Sequence, residues 1–205
     1  MTRLILVRHG ETTWHAENRY AGTSDVSLSP VGVDQARRLA AWAVTAPLVA
    51  IWSSDLDRAQ ATAQWSADAC SVDLHVDRRL RELDFGAGEG LTVAEMADRF
   101  PEALQAFRAD PAAAPLPGGE YPGAAAERFT DCLDDLRQQY GGGSVLVVAH
   151  STVIRLALCQ LIGVPLSRYR QVFPILRNCA LTELVLNDGY TALLEFNTPL
   201  ERFYP

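Results

Sequence analysis

Two histidines in this chain stand at the ends of apolar runs, each with polar neighbours suited to an anion. Leu4-Ile5-Leu6-Val7 leads directly into Arg8-His9-Gly10-Glu11-Thr12, and the run from Ser144 to Ala149 leads into His150-Ser151-Thr152. Short apolar runs of this kind read as buried strands. The carboxyl ends of parallel strands are where such a sheet presents its ligands. A neutral imidazole is a competent nucleophile toward phosphorus, and the donor fork of an adjacent guanidinium fits phosphoryl oxygens. Ser53-Ser54 ends another apolar run, Arg58 falls in the first turn of the helix expected after it, and Glu82 lies just past a short expected strand. Two Arg, two His and one carboxylate make a poor metal site, because guanidiniums repel a cation and no HxH or HExxH spacing occurs. The same set suits a tetrahedral dianion, with helix N-termini adding positive potential. Taken singly, each residue has another reading: Glu82 as the partner of Arg79 or Arg81, Arg58 as a helix-surface charge, His150 as a helix cap.

The elements that must position these residues are legible in outline. After the first strand, residues 11–28 read as a polar loop. Ser29-Pro30 supplies an N-cap with Pro at the first helical position, and Val33, Ala36, Leu39, Ala40 and Ala43 then recur at helical spacing. Leu48–Trp52 reads as a strand. Ser54 to Asp57 matches a capping box opening a helix to about Cys70, and a short strand near Leu74–Val76 and another segment near Leu80–Leu83 follow. Residues 84–122 differ: Gly86, Gly88 and Gly90, two short helices with a capping-box pattern at Thr92–Glu95, then Pro111 through Pro122. A loop-rich stretch of this length with little packing is the usual material of a lid. Helices are expected from near Gly123 to Tyr140 and from Val153 to Ile162, the latter stopped by Gly163 and Pro165. Alternating strands at about Ala180–Leu186 and Tyr190–Phe196, joined at Asn187-Asp188-Gly189, close the chain. No internal repeat or second core is visible, so residues 1–205 read as one α/β domain with a mainly parallel sheet.

Composition narrows the function classes. With 205 residues, 48% hydrophobic and 21% charged, the chain has ordinary globular composition and length for one sizeable core. All 18 basic residues are Arg. The absence of Lys excludes a Walker-A loop, a Schiff-base enzyme and a Ser-Lys hydrolase. Formal charge is −7 with no basic tract, which argues against a nucleic-acid partner. No apolar stretch reaches the roughly 20 residues of a membrane span, and the N-terminus lacks a secretory pattern. Cys70, Cys132, Cys159 and Cys179 are widely spread, as expected of unpaired thiols in a cytoplasmic protein.

In order along the chain, LVRHGET at 6–12, NRYAGTSDVSLSPVG at 18–32, SSDLDRAQAT at 53–62, RELDFG at 81–86 and VVAH at 147–150 resemble the blocks of the histidine phosphatase superfamily, the phosphoglycerate mutase-like group. The resemblance covers nearly the whole chain. It implies a three-layer α/β/α fold with a mainly parallel central sheet, a helical and loop insertion at 84–122 covering the site, and no cofactor or metal. It implies that His9 becomes a phosphohistidine. Arg8, Arg58 and His150 would hold the phosphoryl oxygens, and Glu82 would protonate the leaving oxygen and then activate water. A Glu near the mouth of a desolvated pocket is one whose pKa burial raises into the range of a proton donor; Asp84 is the alternative acid. His15 stands where the family often has Asn, so phosphate contact falls to His15 or to nearby Asn18, with Gly22 in the same block. Ser151-Thr152 replaces a common Gly-Gly, and Ser151 either touches the ligand or caps the helix.

The reaction expected is hydrolysis of a small phosphate monoester; the alternatives are a phosphoglycerate mutase and a non-catalytic phosphoester-binding module. Residues 84–120 carry Asp84, Glu89, Glu95, Asp98, Glu102, Asp110 and Glu120 against Arg99 and Arg108, an acidic cover ill suited to bisphosphoglycerate. Trp14, Tyr20, Phe85 and Tyr121 either line the mouth or pack beneath a loop. Pairing of two copies into a homodimer stays open.

Overall fold

The computed structural model describes residues 1–187 and 189–200. Its frame is a six-stranded sheet in the order β3-β2-β4-β1-β5-β6. The strands are β1 (Thr2–Arg8), β2 (Leu48–Ser53), β3 (Leu74–Val76), β4 (Ser144–Ala149), β5 (Leu181–Asn187) and β6 (Tyr190–Thr198). The first four are mutually parallel, while β5 runs antiparallel to β1 and β6 to β5. The turn expected between the last two strands includes Asp188, outside the described residues.

The apolar runs are continuous because both faces of the sheet are covered. In β1, Leu4 and Leu6 enter one core cluster and Ile5 and Val7 the other; in β4, Val145 and Val147 are divided from Leu146 and Val148 in the same way. Helices α1 (Pro30–Ala43) and α2 (Asp57–Cys70) pack on each other and cover one face, and α5 (Pro122–Gln139) and α6 (Ser151–Ile162) cover the opposite one. This is the three-layer α/β arrangement that the sequence pattern and the resemblance implied. No helix of the described residues is long and apolar enough to cross a membrane.

Two of the expected helix caps form as their spacing implied. Ser29 caps α1 by accepting from the Gly32 N–H at 3.1 Å, and Thr92 and Glu95 form the expected reciprocal box at α3 (Val93–Arg99). Two expectations are corrected. Ser54 to Asp57 is not a capping box: α2 begins at Asp57 with no side-chain cap, and the Ser54 hydroxyl is engaged at the site described below. The segment around Leu80–Leu83 is not a strand but a single 3-10 turn at Arg78–Leu80 followed by extended loop, so Glu82 is carried by a connection.

The segment 84–122 is not loosely packed. Besides α3 it contains α4 (Pro101–Ala109), and Met96, Leu104, Phe107 and Leu116 are all buried within the larger core cluster. Four apolar side chains of this size contribute several kcal/mol of burial between them, which anchors the segment on the body of the domain.

One close backbone approach fixes the entrance to the site. A Cβ on Gly10 would meet the Gly32 carbonyl oxygen at 2.5 Å, and one on Gly32 would meet the Glu11 carbonyl oxygen at 2.0 Å. The start of α1 therefore sits directly against the chain leaving β1. Gly32→Ala must force these backbones apart, and about 1–3 kcal/mol of stability should be lost. A urea midpoint unchanged from the wild type would show that the contact is not constraining.

Candidate active site

The parallel pairing of β1 with β4 places Arg8 opposite Ala149, so His9 and His150 leave neighbouring strands at the same edge. Their ring centroids are 5.1 Å apart, and the His9 N–H donates to the Ala149 carbonyl at 2.9 Å. The two histidines, 141 positions apart in the chain, meet through strand register alone.

His9 is buried, and its tautomer follows from its contacts. Nδ1 lies 2.7 Å from the Gly10 carbonyl oxygen, which can only accept, so Nδ1 carries the proton and Nε2 holds the lone pair. That nitrogen faces the Nε–H of Arg58 at 3.3 Å. Burial, reinforced by the positive charges of Arg58 and Arg8, pushes the His9 pKa well below its ordinary value of 6.5. The ring is neutral at neutral pH, as a nucleophile requires.

Arg58 is almost fully buried in the first turn of α2. Its Nη1 donates to the Ser24 carbonyl at 2.7 Å and its Nη2 to the Gly22 carbonyl at 2.6 Å, which aims Nε at His9. It is therefore not a helix-surface charge. Arg8 donates through Nη1 to the Leu176 carbonyl at 2.8 Å, and burial lowers its pKa to about 10, still a cation at neutral pH. Its Nη2 faces Nε2 of His15, whose Nδ1 accepts from the Thr12 N–H at 3.0 Å. A neutral imidazole has one lone-pair nitrogen and cannot accept from both Arg8 and Thr12. Two donors thus converge where an acceptor from outside the protein would satisfy both. Burial and Arg8 bring the His15 pKa down to about 4.

Glu82 is buried with its carboxylate at the N-terminus of α6. Oε1 accepts from the N–H groups of Leu83 (2.8 Å) and Val153 (2.9 Å), and Oε2 from that of Thr152 (2.9 Å). One lone-pair position on Oε2 remains. Arg79 pairs with Asp77 and Asp135, and Arg81 with Asp55, so neither is the partner of Glu82. Asp84 spends its carboxylate on the Gly86 N–H and does not line the cavity of His9, which removes it as the alternative acid.

That cavity, of about 390 Å³, is lined by Arg8, His9, His15, Asn18, Gly22, Arg58, Glu82 and Ser151 among others. The residues singled out from sequence are thus brought together, and Asn18 and His15 share the wall. His150 is the exception: it is fully buried and does not line the cavity. Its Nε2 is 2.6 Å from the Ser54 hydroxyl, while Nδ1, like Arg8 Nε, has no hydrogen-bond partner among the described residues. Burial and Arg58 lower its pKa well below 6.5. Tyr20 and Phe85 line the cavity and meet edge to face at 4.9 Å, whereas Trp14 and Tyr121 do not reach it. Among the described residues no group of three or more His, Cys, Asp or Glu could hold a metal ion.

Sequence reasoning missed the role of Glu89. Its carboxylate accepts from the N–H and hydroxyl of Thr23 and of Ser24, fixing the 22–24 loop whose carbonyls hold Arg58. Gly22 adopts φ +44°, and a Cβ there would strike the Glu89 carboxylate at 1.9 Å. The available signal was a lone carboxylate set between Gly88 and Gly90.

Two buried neutral imidazoles, His9 and His150, and the half-buried His15 make stability depend on pH. Because the folded pKa values of His9, His15 and His150 lie below the unfolded value near 6.5, the unfolded chain binds protons first as pH falls. Stability is complete above pH 6.5 and is lost below it, by up to about 1.4 kcal/mol per pH unit for each buried ring. The urea midpoint should fall between pH 7 and pH 5, above the range in which Asp55, Asp77 and Asp134 titrate. A flat midpoint over that window would contradict neutral burial of these rings.

Comparison with known proteins places this geometry in a family. The model of the histidine phosphatase superfamily (branch 1) matches residues 4–199, and the chain belongs to that superfamily. Phosphoserine phosphatase 1 of Hydrogenobacter thermophilus is 34% identical over 169 residues, covering 82% of this chain and 80% of that protein. A probable phosphoglycerate mutase, GpmB of Enterobacter sp., is 35% identical over 184 residues, covering 90% and 85%. Among solved structures, Bacillus stearothermophilus YhfR superposes with a TM-score of 0.91 at 27% identity over 97% of this chain and 98% of its own. A mycobacterial glucosyl-3-phosphoglycerate phosphatase in complex with VO3 gives 0.88 at 29% identity over 96% and 99%.

Proposed function

We propose that the protein is a metal-independent phosphatase that hydrolyses small phosphate monoesters through a phosphohistidine on His9. The observation that carries this reading is the bare, neutral Nε2 of His9 held against Arg58, on one cavity wall with Arg8 and Glu82. Nε2 attacks phosphorus as the ester P–O bond breaks, and the electron pair leaves with the alkoxide, which takes a proton from Glu82 Oε2. A water then attacks phosphorus, gives its proton to Glu82, and the P–N pair returns to Nε2. Arg8, Arg58 and the Nε2–H of His15 donate to the equatorial oxygens, with Asn18, the Gly22 backbone and Ser151 on the same wall. The two cations take the electrostatic part that a metal plays elsewhere. His150, held by Ser54, supports the His9 ring from within the fold.

Hydrolysis is favoured over return of the phosphate to a second hydroxyl because phosphatases recur among the relatives, phosphoserine phosphatase 1 and the glucosyl-3-phosphoglycerate phosphatase among them. Four free thiols suit a reducing, cytoplasmic compartment.

The test is a phosphate-release screen over p-nitrophenyl phosphate and small metabolite esters, run in chelator. It is repeated with 3-phosphoglycerate and a trace of bisphosphoglycerate. Release undiminished by chelator is expected. Isomerisation outpacing release would make the protein a mutase, and binding without either reaction a non-catalytic module.

A further inference from the structure

The cavity of His9 carries more positive charge than one phosphoryl group uses. Among the described residues five arginines line it, Arg8, Arg19, Arg58, Arg155 and Arg170, against the single carboxylate of Glu82. This concentration stands out in a chain of net charge −7. Arg8 and Arg58 belong to the phosphoryl end, and Arg19 is neutralised by Glu17 and Glu95, each at 2.8 Å. Arg155 and Arg170 are different: no carboxylate of the described residues lies within ion-pair distance of either.

Both are nonetheless held in place. Arg155 lies one turn beyond Ser151 on α6 and so shares its face. Its Nε donates to the Ser151 carbonyl at 3.0 Å and its Nη1 to the Phe173 carbonyl at 3.3 Å. Arg170, on α7 (Tyr169–Val172), donates through Nε to the Tyr169 hydroxyl at 2.9 Å. The buried Tyr169 ring is a platform for both, 5.1 Å from the Arg155 guanidinium and 5.3 Å from that of Arg170, which also lies 4.5 Å over Phe107. Three hydrogen bonds to neutral groups and two aromatic faces fix the forks while leaving Nη2 of Arg155 and both terminal nitrogens of Arg170 unspent. The charge of Arg155 bears on Arg8, on the Glu82 carboxylate and on Arg170, and all four line the same cavity, so the pair adjoins the phosphoryl end.

We propose that Arg155 and Arg170 form a second anion subsite, and that the preferred substrates are phosphate monoesters bearing a carboxylate. A planar carboxylate matches the parallel N–H pair of a guanidinium. A cavity of about 390 Å³ accommodates a small phosphorylated acid with Tyr20, Phe85 and Val93 along its apolar side. The inference rests on the phosphatase reading for its kinetic readout, and a binding readout separates the two.

Matched ester pairs that differ only in the carboxylate test it: phosphoserine against phosphoethanolamine, and 3-phosphoglycerate against glycerol 3-phosphate. In the wild type kcat/KM should favour the carboxylated member about tenfold to a hundredfold, the scale of one charge-assisted hydrogen-bonded pair. Arg170→Gln and Arg155→Gln should each collapse that ratio toward one, and Arg170→Lys should restore part of it. A wild-type ratio near one, or a ratio that the Gln variants leave intact, overturns the subsite. Calorimetric binding of the same pairs needs no turnover. If no ester is hydrolysed, the phosphatase reading fails, while tighter binding of the carboxylated member that disappears in Arg170→Gln still supports the subsite and equal affinities still overturn it.

Discussion

His9→Ala is expected to reduce turnover of every phosphate monoester on the order of 10⁴-fold or more, the scale of losing a covalent nucleophile. The substitution removes the unprotonated Nε2 that meets the Arg58 Nε–H at the cavity wall, since the Gly10 carbonyl commits Nδ1 to donation. It leaves Arg8 and Arg58 held by their backbone partners, so phosphate affinity should survive the loss of rate. That split distinguishes a chemical role from collapse of the site. Because burial and two guanidiniums keep the ring neutral, protonation of His9 should not define the acid limb of the wild-type profile until well below pH 6.5. Measurable turnover within tenfold of wild type in the variant would remove His9 from the mechanism.

Glu82→Gln is expected to slow alkyl esters by about 10²–10⁴-fold, the usual contribution of a positioned proton donor. The replacement also sets an NH₂ group against the Thr152 N–H, where Oε2 accepts at 2.9 Å. A structural disturbance of that kind slows all substrates alike. A proton-transfer role does not: an ester whose leaving group departs readily as an anion, such as p-nitrophenyl phosphate, should lose much less in the first step than an alkyl ester. The diagnostic is the dependence of rate on leaving-group pKa, expected to steepen in the variant. An unchanged dependence would reduce Glu82 to the cap of α6.

The sequence was most informative where one local rule was enough. Continuous apolar runs marked β1, β2 and β4 because a covered parallel sheet buries both faces, and Ser29 and Thr92 capped the helices their spacing announced. The site set of Arg8, His9, Arg58, Glu82 and His150 was legible from strand exits and from the order of motifs. Their arrangement was not, because it depends on pairing. Ser54 had the spacing of a cap, yet its hydroxyl meets the His150 imidazole of the neighbouring strand exit at 2.6 Å and, at 3.4 Å, the Leu56 N–H rather than the first turn of α2. Glu82 read as lying just past a short strand, and the chain, after turning at Arg78–Leu80, carries it on a connection to the start of α6. Glu89 was read only as part of an acidic cover, and Arg155 and Arg170 escaped notice, because their partners are backbone groups or rings brought in by tertiary structure, and an isolated charge on a loop or helix reads as solvated. The segment 84–122 looked loose because Gly and Pro dominate its ends, whereas Met96, Leu104, Phe107 and Leu116 tie it to the core.

The central claim is covalent, and it is tested by finding the phosphoryl group on the protein. Rapid mixing with radiolabelled substrate, quenching in alkali where phosphoramidates survive, and peptide mapping should place the label on the peptide containing His9, on Nε2 and acid-labile. Turnover with the label on another residue, or single-turnover hydrolysis with no labelled protein at any quench time, would contradict the account.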